Sequence, residues 1–116
     1  MPLELRFYQT RSGGQPFRGW LTSLRDGHAV HRIDARLARA AAGNFGDMKS
    51  VGDGVLEMRI DWGSGYRVYL ARLGPVIVLL LCGGDKTTQQ KDIERAKGYL
   101  KDYKARTARQ HSRHAR

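Results

Sequence analysis

The sequence predicts a single α+β domain, in which helices pack on a small antiparallel β-sheet. Residues 55–61 and 66–72 alternate apolar and polar side chains, which is typical of strands. Residues 76–82 form an unbroken apolar run, which indicates a strand buried on both faces. Other segments place apolar residues at helical spacing. The predicted order is β-α-α-β-β-β-α, with a further brief strand left open around residues 48–51.

The N-terminal part is predicted to form one strand and a helical hairpin. Residues 3–8 alternate apolar and polar side chains, so the first strand has one covered face. Pro16 suits the first turn of a helix. A second helix is expected from about His28 to Ala42, and Gly43-Asn44 matches the left-handed cap on which helices often end. The apolar stripe of the first helix consists of Phe17, Trp20, Leu21 and Leu24.

Two strands joined by the turn sequence Trp62-Gly63-Ser64-Gly65 form the predicted centre of the sheet. Both apolar sets lie on one side of the sheet if the loop has three residues, either 62–64 or 63–65. In the first register Arg59 lies across from Arg67, and in the second it lies across from Tyr69. In either register two arginines and a tyrosine cluster on one surface.

The C-terminal part is predicted to be one amphipathic helix followed by a basic tail. Thr87 or Thr88 is expected to cap this helix, which should end at about Lys104. The tail is rich in arginine and poor in apolar residues, so we expect it to be disordered. The chain is therefore divided into one domain over residues 1–105 and a tail over residues 106–116.

The composition favours a polyanionic partner in a reducing compartment. The chain carries 21 Lys and Arg against 11 Asp and Glu, and the folded part stays basic without the tail. Such a surface suits RNA, DNA or an acidic protein segment, and solubility alone is the alternative. Cys82 lies in an apolar run and cannot form an internal disulfide, which fits the cytoplasm. No segment has the length of a membrane span, and no secretory leader is expected.

Five short motifs occur in order along residues 17–96. They are F-x-x-W-L-x-x-L from Phe17, G-N-F-G-D-M-K-S-V-G-D-G-V from Gly43, E-M-R-I from Glu57, G-Y-R-V-Y from Gly65 and G-G-D-K-x-x-Q-x-x-D-I from Gly83. Each motif alone is weak, but their order and spacing together are specific. Taken together, they resemble the RelE/ParE superfamily of toxins from type II toxin–antitoxin modules, and most of all its HigB-like addiction module killer group.

The resemblance implies a RelE-like fold and a cytoplasmic toxin that a helix-turn-helix antitoxin neutralises. RelE-like and HigB-like members are ribosome-dependent mRNA endonucleases, so the expected partners include mRNA on the ribosome and ribosomal RNA. A ParE-like inhibitor of DNA gyrase is the alternative, and a module that only binds antitoxin or nucleic acid is another. No cofactor is expected. No metal site is predicted either, because His28 and His31 have no carboxylate or thiol cluster beside them.

The resemblance also indicates the catalytic residues. Arg67 matches an arginine that such nucleases use at the scissile phosphate, and Lys86 lies where relatives place basic catalytic residues. RelE carries two lysines on the strand before its G-Y-R motif. In this chain only Arg59 is their counterpart, and the general base is left open. Arginine side chains on one face complement a phosphate and stabilise developing charge. The alternative is a solvated face with a salt bridge to Glu57.

Four further residues are predicted to bind RNA or to support the site: Lys49, Tyr69, Asp85 and Lys91. Tyr69 is available to stack on a base or to orient a proton. Asp85 either pairs with Lys86 or Arg67 or serves as a base. Lys86 lies near a helix start, where a cation opposes the macrodipole, and this placement is tolerated where an anion binds.

Overall fold

A computed structural model describes the backbone of residues 2–114 and the side chains of residues 2–109. It confirms the α+β class. In chain order the elements are β1 (Glu4–Phe7), α1 (Pro16–Ser23), α2 (Gly27–Ala41), β2 (Met48–Gly52), β3 (Val55–Ile60), β4 (Tyr66–Leu73), β5 (Ile77–Gly84) and α3 (Gln89–His114), with a 3₁₀ turn at Lys86–Thr88 before α3. The order β-α-α-β-β-β-α thus lacked one strand, β2, which the sequence had left open.

The five strands form one mixed sheet in the order β1-β5-β4-β3-β2. Neighbouring strands from β2 to β5 pair antiparallel with one another, whereas β1 lies parallel to β5. The prediction of a purely antiparallel sheet was therefore wrong at this edge. Parallel pairing needs a long crossover connection, and residues 8–76, more than half of the chain, separate β1 from β5.

Both faces of the sheet are covered by helices. On one face, α1 and α2 contribute Phe17 and Ile33 to a core that also contains Met58 of β3 and Val68 of β4. On the other face, α3 packs over Tyr69 of β4 and completes a second core, which also includes Tyr8, Leu81, Ala96 and Leu100. Helix α3 therefore covers the face of the β3–β4 hairpin that carries Tyr69.

Asp85, and not Thr87 or Thr88, caps the turn that leads into α3. Its carboxylate accepts a hydrogen bond from the Thr87 backbone N–H at 2.9 Å, and the Asp85 N–H donates to the Thr88 hydroxyl at 3.4 Å. The predicted threonine cap was therefore wrong. A carboxylate fits this position because it accepts from free N–H groups and its charge complements the positive end of the helix dipole.

Helix α3 is described as far as His114, beyond the predicted end near Lys104. Arg106 pairs with Asp102 one turn earlier at 2.8 Å and also donates to the backbone carbonyl of Gln9. These contacts and good helix-forming residues extend the helix into the predicted tail. The helix thus covers residues 106–114 of the predicted tail, and residues 115–116 lie outside the described part. None of the helices, as far as they are described, is both long and apolar enough to cross a bilayer.

Two glycines at the end of β5 allow close packing. A methyl group at Gly83 would overlap the indole ring of Trp20, and one at Gly84 would overlap the carboxylate of Asp92. Trp20 packs on the α1–α2 side, whereas Asp92 belongs to α3. The glycine pair therefore brings both helical layers against the strand just before it reaches the Lys86 turn.

We expect Gly83→Ala to lower the free energy of unfolding by about 1–3 kcal/mol, because the added methyl overpacks the contact with Trp20. Urea denaturation measures this change. The matched control is Gly98→Ala in α3, where a methyl would meet no atom within 4 Å. This control should raise stability by about 0.5–1 kcal/mol. Equal stability of Gly83→Ala and the unmodified protein would contradict the packing described here.

Candidate functional site

A depression of about 530 Å³ lies where the β3–β4 hairpin meets the start of α3. Three cationic side chains line it, Arg59 from β3, Arg67 from β4 and Lys86 from the 3₁₀ turn. Two acidic residues, Asp47 and Asp61, also line it. We call this depression the cationic pocket. The structure therefore brings together the three residues that were predicted to be catalytic.

The register of the hairpin places the two arginines side by side. Arg59 is the direct partner of Arg67 in the β3–β4 ladder, which is the first of the two predicted registers. Gly63 and Gly65 in the connecting loop have positive φ values of 58° and 80°, which glycine adopts without strain. Like charges directly opposite each other destabilise a sheet. The pair therefore needs an anion close by.

Glu57 is that anion, and it is completely buried. Its carboxylate accepts hydrogen bonds from Gln89 Nε2 at 2.9 Å, the Tyr69 hydroxyl at 3.0 Å and Arg59 Nε at 3.1 Å. Arg67 Nε and Lys49 Nζ lie 3.7 Å and 4.0 Å from the same carboxylate. One buried charge thus binds three cations and two neutral donors. Buried charges are stable only when they are paired and hydrogen-bonded in this way.

The environment of Glu57 keeps it ionised. Burial alone would raise the pKa of this carboxyl group. Hydrogen bonds from Gln89, Arg59 and Tyr69, together with the charge of Arg67, outweigh burial and lower the pKa below the ordinary value of 4.5. Burial, followed by the charge of Glu57, raises the pKa of Tyr69 above its ordinary value of 10.0. The tyrosine therefore stays protonated and donates its hydrogen bond.

Arg67 is the most enclosed of the three pocket cations, with 8% of its surface exposed. Its Nη1 donates to the Gly65 carbonyl at 3.0 Å. Its Nε has no hydrogen-bond partner within the described part of the chain, since Glu57 lies at ion-pair distance only. Lys86, by contrast, is exposed. The pocket thus combines one fixed guanidinium group with one solvent-exposed ammonium group.

The structure places the four predicted supporting residues in different roles. Tyr69 is fully buried and cannot stack on a base. Asp85 makes no ion pair with Lys86 or Arg67 among the described side chains. Instead, it caps the turn, where a hydrogen bond from the Thr87 hydroxyl lowers the pKa of Asp85. The two lysines, Lys49 and Lys91, are exposed and do not line the pocket, although Lys49 lies within reach of Glu57.

Glu57 was not predicted to be a site residue, although it was considered as a salt-bridge partner. The signal that could have found it is its position two residues before Arg59, on the same side of a strand that pairs with Arg67. A lone glutamate on that face looks solvated in the sequence. Only the helix above it makes the position buried.

The fold and the pocket define a basic α+β protein in which a buried carboxylate holds an arginine pair at one end of a mixed sheet. No family model matches the chain. It is 57% identical over 81 residues to an uncharacterized protein of Haemophilus influenzae, and the alignment covers 70% of this chain and 82% of that protein. The chain therefore belongs to the same family as the Haemophilus influenzae protein.

Replacing Glu57 by the isosteric glutamine should lower the free energy of unfolding by about 3 kcal/mol, because Arg67 would stay buried without its counter-charge. The acid sensitivity should change as well. A carboxylate with a lowered folded-state pKa adds stability above its ordinary pKa of 4.5, and this stability is lost as the pH falls through the lowered value. Denaturation measured across this pH range should show a weaker acid dependence for Glu57→Gln.

Glu94→Gln is the control for this experiment, since it removes the same charge from an exposed position of α3. Its stability should stay within about 0.5 kcal/mol of the unmodified protein. If the two variants unfold alike at every pH, Glu57 does not hold the arginine pair as described.

Proposed function

We propose that this protein is the toxin of a type II toxin–antitoxin module, of the RelE/ParE superfamily and its HigB-like group. Its proposed activity is that of an mRNA interferase, a ribosome-dependent endoribonuclease that causes growth arrest. The observation that carries this proposal is the convergence of Arg59, Arg67 and Lys86 in one pocket. A concave site with three cations from three separate elements complements a phosphate group.

The pocket is suited to the charge that develops during RNA cleavage. In this reaction the 2′-oxygen loses its proton and attacks the adjacent phosphorus, the bond to the 5′-oxygen breaks, and the leaving oxygen is protonated. The products are a 2′,3′-cyclic phosphate and a 5′-hydroxyl end. Preorganised donors at the negatively charged transition state are worth roughly 10²–10³ in rate each. Arg67 is preorganised because Glu57 and the Gly65 carbonyl hold it.

The other residues have distinct parts in this proposal. Arg59 is half-exposed beside Arg67 and binds a second phosphate oxygen. Lys86 is exposed and lines the same pocket, where its ammonium group neutralises the leaving oxygen. Glu57 is a positioning residue and not the general base, because the carboxylate is buried and already accepts three hydrogen bonds. The ribosome orients the mRNA, so free RNA is a poor substrate.

We further propose that the fold is RelE-like and that the protein acts in the cytoplasm as a single domain. Its partners are a helix-turn-helix antitoxin, mRNA on the ribosome and ribosomal RNA. The element order supports this fold, with two helices on one face of the sheet and the C-terminal helix on the other. The excess of 21 basic over 11 acidic residues supports both an acidic protein partner and RNA.

The test uses brief induction of the chain alone in bacteria. Growth should stop, and primer extension on cellular mRNA should show new transcript ends. Lys86→Ala should reduce cleavage by roughly 10²-fold without affecting folding, because Lys86 is exposed. Arg67→Lys should abolish the growth arrest, since an ammonium group does not replace the two parallel N–H donors of a guanidinium group. Circular dichroism confirms that each variant folds.

Lys101→Ala is the matched control, because it removes an exposed lysine from α3, outside the pocket. It should arrest growth as the unmodified chain does. If growth stops while transcripts stay intact and DNA gyrase no longer supercoils DNA, the protein is a ParE-like gyrase inhibitor and not a nuclease. Unimpeded growth after induction of the unmodified chain would contradict the proposal that it is a toxin.

A further inference from the structure

A second cationic depression lies beside the pocket, along helix α2. Its volume is also about 530 Å³, and the basic residues that line it are His28, His31, Arg32, Arg36 and Arg39. Ile60 and Asp61 line both depressions. The two depressions therefore adjoin at the end of β3. Asp61 is the one acidic residue among the described residues that line the second depression.

The arginines of this depression are not equivalent. Arg36 is half-buried and donates to the backbone carbonyls of Arg59, Phe45 and Asp47. It therefore fastens α2 to the strand that carries a pocket arginine. Arg32 and Arg39 are exposed, and neither guanidinium group makes a hydrogen bond or an ion pair with any described residue. These two side chains are free to bind an external anion.

Arg32 and Arg39 are spaced for an extended polyanion. They lie seven residues apart, which is about two helical turns or 10.5 Å along the axis of α2. Residues seven apart share one face of a helix. Asp34 is also exposed on α2, but it follows Arg32 by two residues and so points away from that face. This spacing is better matched by a chain of phosphates than by a single small anion.

The hairpin loop links the two depressions physically. The guanidinium carbon of Arg32 lies 4.0 Å from the centre of the Trp62 ring. Trp62 belongs to the loop whose next residues line the pocket, and its Nε1 donates to Asp26 at 3.0 Å. Stacking uses the flat face of Arg32, so its edge N–H groups stay available for phosphate oxygens. The loop is thereby held between the two cationic surfaces.

We propose that the exposed face of α2, carrying Arg32 and Arg39 with His28 and His31, binds the backbone phosphates of the RNA strand that enters the cationic pocket. This proposal rests on the proposed function, because it takes the cationic pocket as the place where one phosphate of the RNA strand binds and α2 as the surface along which the strand continues. Phosphate contacts of this kind position a strand without reading its sequence. The α2 face therefore contributes to the affinity and direction of the strand, while the pocket contributes the chemistry.

The test compares two oligonucleotides by fluorescence anisotropy with the purified full chain. Both are 2′-O-methyl RNA, which cannot be cleaved; one has about 15 nucleotides, long enough for both depressions, and the other is a trinucleotide. Arg32→Gln combined with Arg39→Gln should weaken binding of the longer RNA about tenfold and reduce the slope of log affinity against log salt by about 1.4. Binding of the trinucleotide should not change.

The control is Lys101→Gln combined with Lys104→Gln, which removes the same charge from exposed positions of α3, on the other face of the sheet. It should leave both affinities within twofold. Equal weakening by the two double variants would mean a general charge effect and would overturn the proposal. So would an unchanged affinity of the α2 variant, or no binding of the longer RNA by the unmodified protein.

This measurement separates the two proposals. Because the RNA cannot be cut, a length-dependent loss in the α2 variant supports the strand-binding face even if transcripts stay intact in cells. In that case the proposed nuclease activity is contradicted, whereas the proposed RNA-binding face on α2 is supported. Transcript cleavage by the unmodified chain, with no effect of the α2 substitutions on RNA affinity, gives the opposite result.

Discussion

The buried charge of Glu57 is the constraint on which the site depends. Arg59 and Arg67 face each other across the hairpin, an arrangement that like charges oppose. The carboxylate between them offsets this repulsion, and the arginines in turn offset the cost of burying a carboxylate. Each half of the cluster would be unfavourable alone. The ion pairs of Glu57 with Arg59 and Arg67 therefore both support the site and stabilise the pairing of β3 with β4 at this end of the sheet.

The packing of α3 decides which part of this cluster reaches solvent. The helix covers Tyr69 and Glu57 completely, and its Gln89 donates directly to the carboxylate. What stays open is the end of the sheet, where Arg59 and Lys86 meet the solvent. The polar cluster lies on a covered face of the sheet, and solvent reaches it through the pocket at the end of the sheet. The covered part supplies rigidity, and the open part is available for a ligand.

The α2 helix extends the open surface without weakening the core. Arg36 donates hydrogen bonds to backbone carbonyls on and near β3, and these bonds attach α2 to the strand that carries Arg59. Its neighbours on the same helix leave their donors to solvent. One arginine in the series thus acts as a structural clamp, while those on either side form a cationic surface. The difference comes from the distance of each guanidinium group to backbone carbonyls that can accept a hydrogen bond, and not from residue type.

The class of the fold, the two N-terminal helices and the strands of the hairpin could all be predicted before the structure was known. These follow from periodicity, which depends on neighbours in the chain. The sequence also narrowed the hairpin to two registers, one of which the structure has. Tertiary structure alone decided that β1 runs parallel to β5, that Tyr69 is buried and that Glu57 joins the site. Those outcomes depend on which distant segment covers a face, and burial and ion pairing across such distances leave no local pattern to read.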